Sequence, residues 1–271
     1  MNSKRSVTKY VRFRSEETVA YGICDGKSIS ELRGSIFTDA TPTGRQFSFD
    51  EVQLLVPCEP SKVLAVGLNY SSHREHVEKS EGILLNVTGK PPSAEYPVVF
   101  AKFPTSLCPH GQEIVLPADA TNVHFEGEMV VVIGKKAKNV TVDEAASYVF
   151  GVTIGNDLVE RNWLLQDLQW FRAKGADGFG PIGPMIVSGL NYGNLKLTTT
   201  VNGELRQSSN TSDLVFSPDR LLSYCSRYVT LMPGDVIFTG TPGKTQSIRP
   251  GDTIEVAIEG IGVLRNRIAV A

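Results

Sequence analysis

The chain has 271 residues, 27 of them Lys or Arg and 29 Asp or Glu, for a net charge of −2 at pH 7. That length suits one sizeable core with room for a small extra domain, and the balanced charge excludes a nucleic-acid footprint. Cys24, Cys58, Cys108 and Cys225 form no C-x-x-C pair, and no segment has the apolar length of a membrane span; a reduced, cytoplasmic protein with no membrane partner is expected.

Residues 1–58 alternate in strand fashion (Tyr10-Val11-Arg12-Phe13, then Thr18 to Ile23), with a Cys24-Asp25-Gly26 turn between short strands. They predict a small N-terminal β domain. Pro57 and Pro60 bracket a boundary, after which Val63-Leu64-Ala65-Val66-Gly67 reads as a buried strand opening a second domain, 59–271. The loop expected after that strand carries His73. From Lys79 to Pro97 a Gly- and Pro-punctuated stretch is longer than an ordinary connection and is expected to form a lid.

Glu126-Gly127-Glu128 runs into Met129-Val130-Val131-Val132-Ile133, a buried-strand pattern that puts two carboxylates on one face. Adjacent buried like charges repel unless a cation neutralises them. Asp157 would complete an oxygen-rich set suited to a hard divalent ion; the alternative is a half-exposed strand with solvated glutamates. Asp157 to Lys174 predicts a helix, with Asn156 as N-cap and Gly175 at the stop. Arg161, four residues on, would share a helix face with Asp157, reaching either a substrate carboxylate or a nearby acid. Ser217-Pro218 opens a second helix to about Arg227, and two Pro-Gly-Asp turns (233–235 and 250–252) each feed a strand. Many strands and few helices outside strict βαβ alternation give an α+β, mostly β fold, mixed and mainly antiparallel.

The succession of strand, His73, Lys102, Glu126-x-Glu128, Asp157, Lys174 and Thr239-Gly240-Thr241-Pro242 resembles the fumarylacetoacetate hydrolase family over roughly residues 60–271. The resemblance implies a mixed β-roll catalytic domain, a homodimer, and Mg²⁺ or Mn²⁺ on Glu126, Glu128 and Asp157. It makes His73 the general base, Lys174 a catalytic lysine and Thr241 a substrate-carboxylate ligand. The small-molecule substrates it implies are 2-oxo or 1,3-diketo acids, cleaved by C–C hydrolysis through a metal-chelated enolate. Decarboxylation, enol–keto isomerisation and a non-catalytic metal-binding role are the alternatives.

Some positions depart from the family pattern. His76 stands where many members carry the acid that partners the histidine, which leaves Glu75, or else Glu78, for that role, with Glu75 counted among the catalytic candidates. Leu164 replaces a frequent Gln, and Gly243-Lys244-Thr245-Gln246 replaces a Gly-Val-Gly run. Lys102, beside Phe103 and Pro104, is expected to snorkel and support the fold. His124 is expected on the Glu126 face, either supporting a metal ligand or half exposed, and His110 as a plain loop residue.

Overall fold

The computed structural model describes residues 6–16, 18–80 and 95–269. Its central strand is Gly127–Ile133, every residue of which is buried. Pairing on both sides explains the unbroken apolar run: Val149–Asn156 lies antiparallel along one edge and Val236–Phe238 along the other. Alternate side chains feed different cores. Met129, Val131 and Ile133 pack with Leu197, Val256 and Leu264, whereas Val130 and Val132 pack with Ala65, Ile182 and Phe238.

The main sheet runs in the order Thr41–Ser48, Ser28–Arg33, Thr18–Cys24, Thr8–Ser15, Gly180–Ser188, Val149–Asn156, Gly127–Ile133, Val236–Phe238, Val63–Gly67, Val98–Lys102. Most neighbours are antiparallel; Val236–Phe238 runs parallel to Val63–Gly67. A second sheet, in the order Glu204–Asn210, Lys196–Val201, Thr253–Ile258, Gly262–Ile268, Glu113–Ile114, contributes to the larger core. The fold is thus mostly β and mixed, as the residue pattern predicts. The N-terminal strands are continuous with the main sheet, because Thr8–Ser15 pairs with Gly180–Ser188 through Tyr10 opposite Ile186.

Local signals act as expected in several places. Asp25 Oδ1 accepts from the Lys27 and Ser28 amides, closing the hairpin of Thr18–Cys24 with Ser28–Arg33. Ser217 Oγ accepts from the Arg220 amide and caps helix Pro218–Tyr228. The Asp235 carboxylate, fully buried, accepts from the amides of Met232, Ser61 and Lys62 and pairs with Lys62 Nζ at 2.6 Å. That turn fixes where the Val236 strand begins.

Three expectations are corrected. The helix expected over Asp157–Lys174 is instead a two-residue strand, Val159–Glu160, followed by short helices Arg161–Gln166 and Phe171–Gly175. Glu160, not Asn156, is the cap: its carboxylate accepts from the Trp163 amide at 2.7 Å and from the Asn122 amide at 2.8 Å. His73 lies in helix Ser71–Ser80 rather than in a loop. The expected lid, Lys79 to Pro97, falls largely outside the described residues. No helix among the described residues is long and apolar enough to cross a membrane.

Candidate active site

Glu126 and Glu128 flank the start of the central strand, and Asp157 follows its neighbour Val149–Asn156. Two bonds lace these ends together: Asn156 Oδ1 accepts from the Glu126 amide at 2.8 Å, and the Glu126 carbonyl accepts from the Asp157 amide at 2.9 Å. One carboxylate oxygen from each of Glu126, Glu128 and Asp157 then lies within 4.8 Å of the others, and all three residues are buried. The extended backbone, with its two-residue period, brings the glutamates to one side.

Two buried ammonium groups meet this cluster. Lys174 Nζ bridges Glu126 Oε2 at 2.6 Å and Asp157 Oδ2 at 2.8 Å. Lys102 Nζ sits 2.7 Å from Asp157 Oδ1 and donates to the Lys174 carbonyl. Lys102 therefore does not snorkel; its side chain is wholly buried and paired. Burial disfavours the Lys174 charge, but Asp157 and Glu126 together outweigh it and raise its pKa. For Lys102 burial prevails over Asp157 and the pKa falls. Asp157 is likewise opposed by burial, yet the two lysines hold it below the usual carboxylate range.

Glu128 differs. It accepts from the Gly240 amide at 2.7 Å but has no ion-pair partner among the described residues. Burial first, then Asp157 and Glu126, push its pKa well up. Three carboxylates against two ammonium ions leave a buried deficit of positive charge, with all-oxygen donors converging on one point. That donor set fits a hard divalent cation.

The opposite wall is pinned by Asn69. Its Nδ2 donates to the carbonyls of Phe216 (3.0 Å) and Thr239 (2.7 Å), and its Oδ1 accepts from the Phe216 amide (2.8 Å). Gly240 passes so close that an added Cβ would lie 2.7 Å from Asn69 Cβ, and its φ of +104° is itself a glycine conformation. Thr241 is buried, but its hydroxyl proton is committed: Oγ1 donates to the Gly127 carbonyl at 3.0 Å and accepts from Gln207 Nε2 at 2.9 Å.

His73 Nδ1 lies 2.7 Å from the Gly243 carbonyl. A carbonyl only accepts, so Nδ1 carries the ring proton and Nε2 the lone pair. Burial lowers the His73 pKa despite the opposing pull of Glu126, keeping the ring neutral. Glu75 is exposed, and the group that meets His73 Nδ1 is the Gly243 carbonyl.

His73, Glu126, Glu128, Arg161, Lys174 and Thr241 line one pocket, with Phe100, Leu164 and Trp170 as apolar walls. Arg161 arrives by a route other than the one expected: Asp157 precedes the helix that Arg161 opens, so the two share no helix face. His124 lies on a separate two-residue strand, Val123–His124, and bonds Thr245 and Asn122. His110 Nδ1 accepts from the Arg265 amide at 3.1 Å. Lys102 stands in the family succession but was expected to snorkel, and the sequence reading missed Asn69 and Gln207. A lysine closing the apolar run Val98-Val99-Phe100-Ala101 was a usable signal, since a buried ammonium needs an acid.

Comparison with known proteins adds an independent line. The family description "Fumarylacetoacetate (FAA) hydrolase C-terminal" matches residues 62–269, and "Rv2993c-like, N-terminal" matches residues 8–57. The chain is similar to rat oxaloacetate tautomerase Fahd2a, mitochondrial, at 36% identity over 230 residues, covering 80% of this chain and 70% of the relative. Among solved structures it resembles 2-hydroxyhepta-2,4-diene-1,7-dioate isomerase from Mycobacterium marinum, with a TM-score of 0.86, 36% identity and coverage of 97% and 98% of the two chains. It also resembles fumarylpyruvate hydrolase from Pseudomonas aeruginosa in complex with Mn²⁺ and pyruvate, with a TM-score of 0.70, 29% identity and coverage of 81% and 92%.

Proposed function

The chain belongs to the fumarylacetoacetate hydrolase family, and from that premise we propose that it is a Mg²⁺- or Mn²⁺-dependent enzyme that interconverts the enol and keto forms of a 2-oxo acid. The observation that carries this reading is the contact between His73 Nδ1 and the Gly243 carbonyl. It leaves Nε2 as a neutral proton acceptor oriented by an uncharged group. Proton transfer at carbon needs such a base, whereas water activation for hydrolysis gains from a carboxylate on the far ring nitrogen.

A divalent cation on Glu126, Glu128 and Asp157 would supply the concentrated positive charge that makes a C–H beside an oxo group acidic. The chain's own residues do the rest. His73 Nε2 takes a proton from C3, the C–H electron pair becomes the C2–C3 double bond, and negative charge builds on the oxo oxygen near the Lys174 ammonium. Return of the proton to the oxygen completes the enol. Arg161 is assigned the substrate carboxylate, through the bidentate fit of guanidinium to carboxylate. Because the Thr241 hydroxyl proton is used on Gly127, that residue is assigned the shaping of the pocket floor through Gln207.

Carbon–carbon hydrolysis is the second reading, supported by the likeness to a fumarylpyruvate hydrolase. The homodimer implied by the family belongs to the same proposal and is read from a light-scattering mass of twice 29.5 kDa. The deciding experiment follows oxaloacetate and an acylpyruvate with Mg²⁺ or Mn²⁺ present, by enol absorbance and by product analysis. Metal-dependent loss of enol absorbance with the carbon skeleton intact is the expected result. Stoichiometric cleavage to pyruvate and a second acid would make it a hydrolase instead.

A further inference from the structure

A chain of polar groups, buried at Arg161 and Thr245 and half-buried at His124 and Asn122, reaches the pocket from outside the residues assigned so far. Arg161 NH2 donates to Thr245 Oγ1 at 3.1 Å. Thr245 Oγ1 lies 3.0 Å from His124 Nδ1, and His124 Nε2 lies 3.0 Å from Asn122 Oδ1. Asn122 Nδ2 in turn faces Asn162 Oδ1 at 3.5 Å, and its carbonyl accepts from the Arg161 amide at 3.0 Å. The chain therefore closes on the residue it starts from.

Each proton in it has one consistent place. Asn122 Oδ1 can only accept, so Nε2 of His124 carries the ring hydrogen and Nδ1 is left as an acceptor. The Thr245 hydroxyl then donates to Nδ1, which frees an oxygen lone pair for the Arg161 guanidinium. Thr245 and Arg161 are both almost fully buried, so each unmet role would be costly. The loop bearing Thr245 is tied to the same strand, through the Ser247–His124 bridge and the Ile248 amide on the Val123 carbonyl at 2.8 Å.

We propose that Thr245 and His124 are positioning residues that fix the rotation of the Arg161 guanidinium, and so set how tightly the pocket holds the carboxylate of its substrate. A planar donor fork gives directional binding only when its plane is held. This inference rests on the assignment of Arg161 to the substrate carboxylate. Thr245→Val keeps the side-chain shape but removes both of its hydrogen bonds, and Thr245→Ser restores them.

The test uses the Mn²⁺-loaded full chain. Steady-state kinetics on oxaloacetate should give Thr245→Val a KM raised about tenfold with a smaller change in kcat, Thr245→Ser near wild type, and no added loss when Thr245→Val is combined with Arg161→Gln. Nitrogen NMR of the imidazoles should find the His124 proton on Nε2 and a displaced Nδ1 signal in Thr245→Val. A proton on Nδ1, an unchanged KM, or losses that multiply with Arg161→Gln would each overturn the proposal. A wild type that binds oxalate but turns over no 2-oxo acid removes the proposed function alone. The oxalate dissociation constant then decides this inference, an about tenfold weakening in Thr245→Val supporting it and equal affinity refuting it. A wild type that binds no oxalate removes both.

Discussion

At the scale of single residues, the site is a matter of where charge and protons are held. His73 is neutral because burial lowers its pKa, so the proposed base is active above that value and is lost as pH falls through it. The acid limb of the rate profile should therefore lie below pH 6.5, the ordinary value for imidazole, and His73→Asn should cost about 10²- to 10⁴-fold in kcat. A pH–rate profile of both proteins checks this; an acid limb above 6.5 would contradict the burial argument. Glu128 is the carboxyl without an ion-pair partner among the described residues, its pKa pushed up by burial and by Asp157 and Glu126, so its replacement by Gln should cost the metal-free protein little while weakening metal binding. Mn²⁺ at about 100 times its dissociation constant is worth about 2.7 kcal/mol, or a rise of roughly 5–10 °C in Tm for a chain of this size. Thermal scans with and without Mn²⁺ should find that rise in wild type and lose most of it in Glu128→Gln and Asp157→Asn.

At the scale of elements, the site depends on strand ends laced to one another and to a few turns. Asn69 joins the end of Val63–Gly67 to the Thr239 turn and to the start of helix Pro218–Tyr228 by three buried bonds. Asn69→Ala would strand buried donors and acceptors and should cost about 3 kcal/mol or more, read from the urea midpoint at unchanged slope. The central strand and its carboxylates were legible in the sequence because a doubly covered strand must be apolar throughout, which makes Glu126 and Glu128 conspicuous beside it. The 157–174 helix was misread for an equally physical reason. Leu165, Leu168 and Phe171 supply apolar spacing, yet all three are exposed. The first helix ends at Asp167, whose backbone is extended, and starts at Glu160, whose carboxylate is also held by the Asn122 amide, 38 residues back. That second partner is a tertiary fact. The partners of Lys102, Gln207 and Thr245 were hidden likewise, since they lie 55, 34 and 84 residues away in Asp157, Thr241 and Arg161.

At the scale of the whole molecule, one continuous sheet carries both the N-terminal strands and the site, so acid titration of buried groups is felt as global stability. Burial lowers the pKa of His110, and burial with Arg161 takes His124 down to about 4. For a lowered pKa the unfolded chain binds its proton first. The stabilisation is thus fully present above pH 6.5 and lost as pH falls toward 4. Tm should drop between pH 7 and pH 4.5, and the drop should shrink in His110→Asn with His124→Asn, where neither side chain titrates; an undiminished drop would point to other groups. The central claim is that this protein moves a proton at carbon beside an oxo group. Its most direct measurement is exchange of the C3 protons of a non-cleavable 2-oxo acid with deuterium from D₂O, followed by proton NMR with Mg²⁺ present. Exchange well above the metal-only rate is expected in wild type, with its loss in His73→Asn. Exchange no faster than with the metal alone, or exchange untouched by His73→Asn, would contradict it.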